Sequence, residues 1–141
     1  MSSLACVDAS LVVRLFGNAK DRSTVMPLWQ GWWDAGDSLV APSLLYYEVS
    51  NALHRYALQG VLRPQEAVAA LNMALGLGIT LYGDAELHRR ALALAKRFAL
   101  PAAYDAHYLA LAERLGAEFW TADKRLLQAV QELSWVHGVQ G

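Results

Sequence analysis

Four acidic residues stand at strand ends or inside apolar stretches. Asp8 closes the short run Leu4-Ala5-Cys6-Val7, and Asp123 follows Glu118-Phe119-Trp120-Thr121-Ala122. Glu48 interrupts Leu44-Leu45-Tyr46-Tyr47-Glu48-Val49, and Asp105 sits within Ala103-Tyr104-Asp105-Ala106. Carboxylates brought together repel and raise one another's pKa unless a cation neutralises them. Hard divalent ions such as Mg²⁺ take oxygen ligands and keep several waters. A site of that kind can activate water and stabilise charge on a phosphoryl oxygen. Each acid also has a plainer role open to it. Asp8 can be a turn residue, and Asp105 and Asp123 can be helix N-caps. Glu48, Asn51 and Arg55 can be one solvated helix face. From the residues alone, both accounts stand.

The elements that must position these acids follow from periodicity and punctuation. Leu4–Val7 suits a buried parallel strand. A short helix is predicted over about 10–16, stopped by Gly17-Asn18, and a second over 24–33 with Pro27 in its first turn. Ser38–Ala41 reads as a strand, and Pro42-Ser43 as the cap of a helix to about Leu58. Gly60 closes that helix and Pro64 opens another, to about Leu75. Ile79–Leu81 reads as a strand, Asp84 as the cap of the next helix, and 103–115 as a helix ended by Gly116. Glu118–Thr121 is a strand, Asp123 starts a helix to Val130, and Ser134–Val136 is a last short strand. Strands alternating with helices argue for one α/β domain over 1–141. Its mostly parallel sheet of about five strands should carry helices on both faces, making three layers. In such sheets ligands bind beyond the carboxyl ends of the strands, where Asp8 and Asp123 lie.

The strings Val7-Asp8-Ala9-Ser10 and Pro42-Ser43-Leu44-Leu45-Tyr46-Tyr47-Glu48-Val49-Ser50-Asn51-Ala52-Leu53 resemble the opening of PIN-domain ribonucleases. Tyr104-Asp105-Ala106-His107-Tyr108-Leu109-Ala110-Leu111-Ala112-Glu113 and Thr121-Ala122-Asp123-Lys124-Arg125-Leu126 extend the resemblance through the chain. Within that family the VapC-like toxins of toxin–antitoxin pairs are most similar. The resemblance implies a PIN-like, Rossmann-like fold. It implies that Asp8, Glu48, Asp105 and Asp123 bind one or two Mg²⁺ or Mn²⁺ ions. It further implies an endoribonuclease that cuts RNA with metal-activated water, a small antitoxin partner and a homodimer. Ser10 and Thr121 match small hydroxyl positions beside the acids, with local turn or cap bonding as the other account. Asn51 follows Glu48 by one helical turn.

The remaining residues narrow the reading. The chain has 141 residues with a net charge of −1, so any contact with nucleic acid must be local. Arg14 and Arg55 are candidates to hold a substrate phosphate, and Lys124 and Arg125 also lie near the acids in sequence. Trp29, Trp32 and Trp33 crowd one segment, which suits core packing or a partner surface. Cys6 reads as a core residue and cannot form an intramolecular disulfide, and a reducing cytoplasm is expected. His54, His88, His107 and His137 show no metal-ligand spacing, and His107 should point away from Asp105. No phosphate-cradling glycine motif is present, so no nucleotide cofactor is expected. No apolar run approaches the ~18 residues of a membrane span, and Met1-Ser2-Ser3-Leu4 shows no export signal. A catalytically silent PIN-like module that binds RNA or protein is the rival reading. A phosphoacceptor receiver is a poorer one, because Asp8 is followed by Ala9-Ser10 rather than by another acid.

Overall fold

The computed structural model describes residues 3–139; Met1 and Ser2, part of the segment read for an export signal, lie outside them. The elements run β1 (Leu4–Val7), α1 (Ala9–Val13) with a 3-10 turn over Arg14–Phe16, α2 (Ala19–Ala35), β2 (Ser38–Pro42), α3 (Leu44–Leu58) and α4 (Pro64–Leu75). The second half runs β3 (Thr80–Tyr82), α5 (Ala85–Arg97), α6 (Tyr104–Leu115), β4 (Glu118–Thr121), α7 (Lys124–Ala129) and β5 (Val136–Gly138).

The five strands pair in the order β3-β2-β1-β4-β5, all parallel. Helices flank this sheet in a three-layer α/β arrangement. β1 is its centre and is apolar throughout because both of its faces are covered: Ala5, Cys6 and Val7 are buried. α6 lies across β1, β2 and β4, and α5 packs on α6. The demand on α6 explains its sequence, since Ala106 and the run Tyr108–Ala112 are buried. Gly116 ends it at φ 63°, a left-handed conformation that glycine adopts without a Cβ clash. On α3, Leu45, Val49 and Leu53 form the buried stripe, at a spacing of one helical turn.

The strand order reverses at β1, where β2 lies on one side and β4 on the other. Crevices for ligands form at such a switch point, outside the carboxyl ends of the strands. The β1–β4 register pairs Val7 with Trp120. Asp8 therefore emerges level with Thr121, and Asp123 two residues further on.

Three local expectations need correction. α2 begins at Ala19, not Thr24, because the Asn18 side chain accepts a hydrogen bond from the Asp21 N–H at 2.8 Å and caps the helix. Pro27 thus lies inside the helix, where it removes one backbone donor. Ser43 makes no side-chain cap for α3; its hydroxyl donates to the Tyr82 carbonyl at 3.1 Å and ties the helix start to β3. The last strand is Val136–Gly138, about two residues later than its apolar pattern suggested. Among the described residues, no helix is long and apolar enough to cross a membrane.

Candidate active site

Asp8 leaves β1 with its carboxylate almost sealed from solvent, at 7% exposure. One oxygen accepts from the backbone N–H and the hydroxyl of Ser10, and the other from the Thr121 hydroxyl. Thr121 Oγ1 in turn accepts from the Asp123 N–H at 3.0 Å, and Ser10 Oγ from the Ala122 N–H at 3.2 Å. The two small hydroxyls lock the end of β1 to the loop after β4. Burial pushes the Asp8 carboxyl up to about 6, and the hydrogen bonds from Ser10, Thr121 and the backbone only partly oppose it.

The other acids lie on helices beside it. Glu48 is half-buried on α3 and accepts a hydrogen bond from the Tyr108 hydroxyl at 2.7 Å. Its carboxyl is raised by burial and by the negative charge of Asp105, against the Tyr108 bond. Asp105 sits in the first turn of α6, where the helix dipole favours its charged form. Burial nevertheless dominates, and the Asp123 charge adds to it, so the carboxyl is raised. Asp123 caps α7, accepting from the Arg125 and Leu126 N–H groups at 3.0 and 3.1 Å. Asp8 likewise caps α1. The capping role open at the level of sequence is thus real for Asp123 but not for Asp105, and Asp8, read there as a turn residue, is a cap as well.

Capping does not explain why these acids lack counter-charges. Asp84 also caps a helix, yet an Arg114 fork at 2.8 and 3.0 Å holds it down to about 2. Glu113 is lowered by Arg90 in the same way. Among the described residues, the ion pairs involve Glu66, Glu86, Glu113, Glu132, Asp84 and Glu118, and none of the four site acids. Among the described residues, Asp21, Asp34 and Asp37 also lack an ion pair, but Asp8, Glu48 and Asp105 combine that lack with burial that raises the carboxyl.

Ser10, Glu48, Asn51 and Arg55 line one open cavity of about 290 Å³ between α1 and α3. Arg14 is directed elsewhere: its guanidinium donates to the Thr24 hydroxyl at 3.1 Å, bracing the 3-10 turn against α2. Lys124 and Arg125 are exposed on α7. Trp29 is fully buried and donates to the Leu11 carbonyl at 3.2 Å. Trp32 is buried against Trp120, so two of the three tryptophans are core and only Trp33, 44% exposed, remains for a partner. His107 turns to the Ala103 carbonyl and His88, and Cys6 is buried in the core. Sequence reasoning missed Tyr108. Its position one turn after Asp105, within the buried run Tyr108–Ala112, was the available signal.

The donor set is all oxygen, which suits a hard divalent cation rather than a thiolate- or imidazole-binding metal. Among the described residues, no three His, Cys, Asp or Glu side chains converge closely enough to enclose an ion by themselves. Such a donor set fits Mg²⁺ in particular, which is commonly held by one or two carboxylates and completes its shell with water and phosphate oxygens.

A parallel sheet whose order reverses at β1, with carboxylates beyond its carboxyl edge, is an α/β domain with a switch-point crevice at that edge. The PIN domain profile matches residues 5–132, and the chain belongs to the PIN-domain family. Ribonuclease VapC3 of Pyrobaculum aerophilum is 36% identical over 87 residues, which span 60% of this chain and 66% of that relative, just under two thirds of its length. The crystal structure of PAE2754 from Pyrobaculum aerophilum superposes with a TM-score of 0.69 at 25% identity, covering 98% of this chain and 92% of that one. VapC20 of Mycobacterium tuberculosis, a toxin that cleaves the sarcin-ricin loop, shares the fold with a TM-score of 0.66 at 20% identity, over 89% of this chain and 95% of that one.

Proposed function

We propose that this protein is a divalent-metal-dependent endoribonuclease, the toxin half of a toxin–antitoxin pair, and that Asp8, Glu48, Asp105 and Asp123 carry its activity. The observation that bears this reading is the absence of any counter-charge on these four carboxylates among the described residues, in a chain similar to a VapC ribonuclease. Asp8, Glu48, Asp105 and Asp123 would supply the ligands for Mg²⁺ or Mn²⁺. A divalent ion held there supplies Lewis acidity and lowers the pKa of water.

The chain's own residues do the positioning. Ser10 and Thr121 fix both oxygens of Asp8, so its negative charge stays aimed at the end of the sheet. Tyr108 holds one Glu48 oxygen and leaves the other free. Asn51 and Arg55 share the cavity wall with Glu48, which supports Asn51 as a hydrogen-bonding neighbour of the acids and Arg55 as a partner for a phosphate of the RNA backbone. Resemblance to VapC toxins further suggests an antitoxin partner, a homodimer and a cytoplasmic setting.

Asp105→Asn tests the assignment most cleanly, because Asp105 caps nothing. We expect Mn²⁺- or Mg²⁺-dependent cleavage of single-stranded RNA by the wild type, and at least about a hundredfold loss in the variant with its fold intact. Undiminished cleavage by Asp105→Asn overturns the assignment of the acids.

A further inference from the structure

A second cavity, of about 400 Å³, opens beside the acidic edge, between the start of α3, the end of β3, α5 and the first turn of α6. Its size falls in the range of small-ligand pockets. No lysine, arginine, aspartate or glutamate lines it. Tyr47 and Tyr104 contribute to its wall and are 76% and 65% exposed. Among the described residues, neither ring pairs with another aromatic ring. Each directly precedes a site acid, Glu48 on α3 and Asp105 on α6. The fold thus presents an uncharged aromatic cavity beside an anionic edge.

The polar end of this cavity is a pair of imidazoles. His107 Nδ1 stands 2.7 Å from the Ala103 carbonyl, which can only accept, so that nitrogen carries the proton. In the neutral pair, His107 Nε2 then accepts from His88 Nδ1–H across 2.9 Å. His88 Nε2 is left as a hydrogen-bond acceptor on a ring that lines the cavity. A phosphate finds no counter-charge here. A flat, uncharged group with N–H donors on its edge is matched by the tyrosine rings and by the imidazole nitrogen.

We propose that this cavity binds one nucleobase of a single-stranded RNA whose backbone lies over the acids, with Tyr47 and Tyr104 as its stacking residues. This deepens the ribonuclease reading and rests on it. The test uses a 12-nucleotide RNA in chelator, where metal-dependent cleavage stops, with 2-aminopurine placed at successive positions. Stacking quenches its fluorescence. We expect quenching confined to one or two adjacent positions in the wild type. Tyr47→Ala and Tyr104→Ala should relieve it and weaken binding roughly five- to a hundredfold. Tyr47→Phe and Tyr104→Phe, which keep the ring, should retain both.

Unchanged quenching and affinity in the alanine variants overturn the proposal. So does a change of protomer number in sedimentation for those variants, which makes the cavity a face between copies of the chain. Cleavage of unmodified RNA is followed in parallel. A wild type that cuts RNA but quenches at no particular position removes the base pocket alone, whereas tyrosine-dependent stacking by a protein that never cuts RNA removes the ribonuclease reading and keeps the pocket.

Discussion

Replacing Asp8 by asparagine should stabilise the metal-free protein at neutral pH and not at acid pH. The carboxyl titrates near 3.8 when unfolded and is pushed up to about 6 when folded. A raised folded pKa means that the folded state holds the proton more tightly. Its stability is therefore greatest below about pH 4 and falls as pH rises through about 6. A shift of about two units corresponds to roughly 3 kcal/mol of destabilisation at pH 7.5, at about 1.4 kcal/mol per unit. The asparagine side chain escapes that cost and keeps one oxygen for the Ser10 N–H, so the cap on α1 survives. Its amide nitrogen, however, replaces an oxygen that now accepts from a hydroxyl. Thr121 Oγ1 already accepts from the Asp123 N–H, so this mismatch costs about 1 kcal/mol. The net expectation in chelator at pH 7.5 is a variant more stable by about 1–2 kcal/mol, which raises Tm by several degrees. At pH 4 the advantage should vanish or reverse. With Mg²⁺ or Mn²⁺ at a hundredfold excess over Kd, the wild type should gain about 2.7 kcal/mol and the variant much less. Thermal melts at both pH values, with and without metal, decide it. An Asp8→Asn variant that melts lower than wild type by the same amount at both pH values refutes the desolvation argument and leaves Asp8 a structural cap.

Other perturbations probe the surrounding structure. Tyr108→Phe removes the hydrogen bond that opposes the rise in the Glu48 pKa, so the acid limb of the pH–rate profile should move to higher pH; an unmoved limb means that Glu48 does not titrate in the rate-limiting form. Trp29→Ala, at a fully buried ring, should cost about 3–5 kcal/mol in urea denaturation. Trp33→Ala should stay within about 0.5 kcal/mol in the isolated chain. Asn18→Ala should lower stability by about 1 kcal/mol if α2 begins where its cap lies, and by nothing measurable if the helix starts at Thr24.

The layer architecture was legible because β1 and α6 are apolar at positions buried from both sides. Glycine and proline also punctuate the chain at Gly60, Pro64 and Gly116. The start of α2 was not legible. Gly17-Asn18 reads equally well as the stop of one helix and the cap of the next, and Pro27 looks like a first-turn residue until tertiary packing of Val25, Trp29 and Trp32 carries the helix past it. The acids were singled out by an argument about place, as charges at strand ends or on apolar helices. Arg14 was chosen by nearness in sequence to Asp8, and its guanidinium lies on the Thr24 hydroxyl, because sequence distance does not determine where a long side chain turns. Tyr108, Tyr47 and Tyr104 escaped notice because a tyrosine on an apolar helix looks like core until its neighbours across the fold are known.

Helix capping and metal ligation are usually set against each other as explanations of an acidic residue, but a capping geometry such as that of Asp123 does not by itself exclude ligation. A cap accepts N–H bonds through one oxygen and leaves the other free, as Asp123 does with Oδ1 engaged by α7. The discriminating property is what neutralises the charge. Asp84 caps a helix with an arginine fork beside it, and its carboxyl is lowered. Asp8 caps a helix in a closed pocket with only hydroxyl and amide donors, and its carboxyl is raised. A fold that needed Asp8 only as a cap would be better served by serine or asparagine, which bond the same N–H without burying a charge. Retaining an ionisable group there makes physical sense when a cation arrives from outside the chain to complete the site.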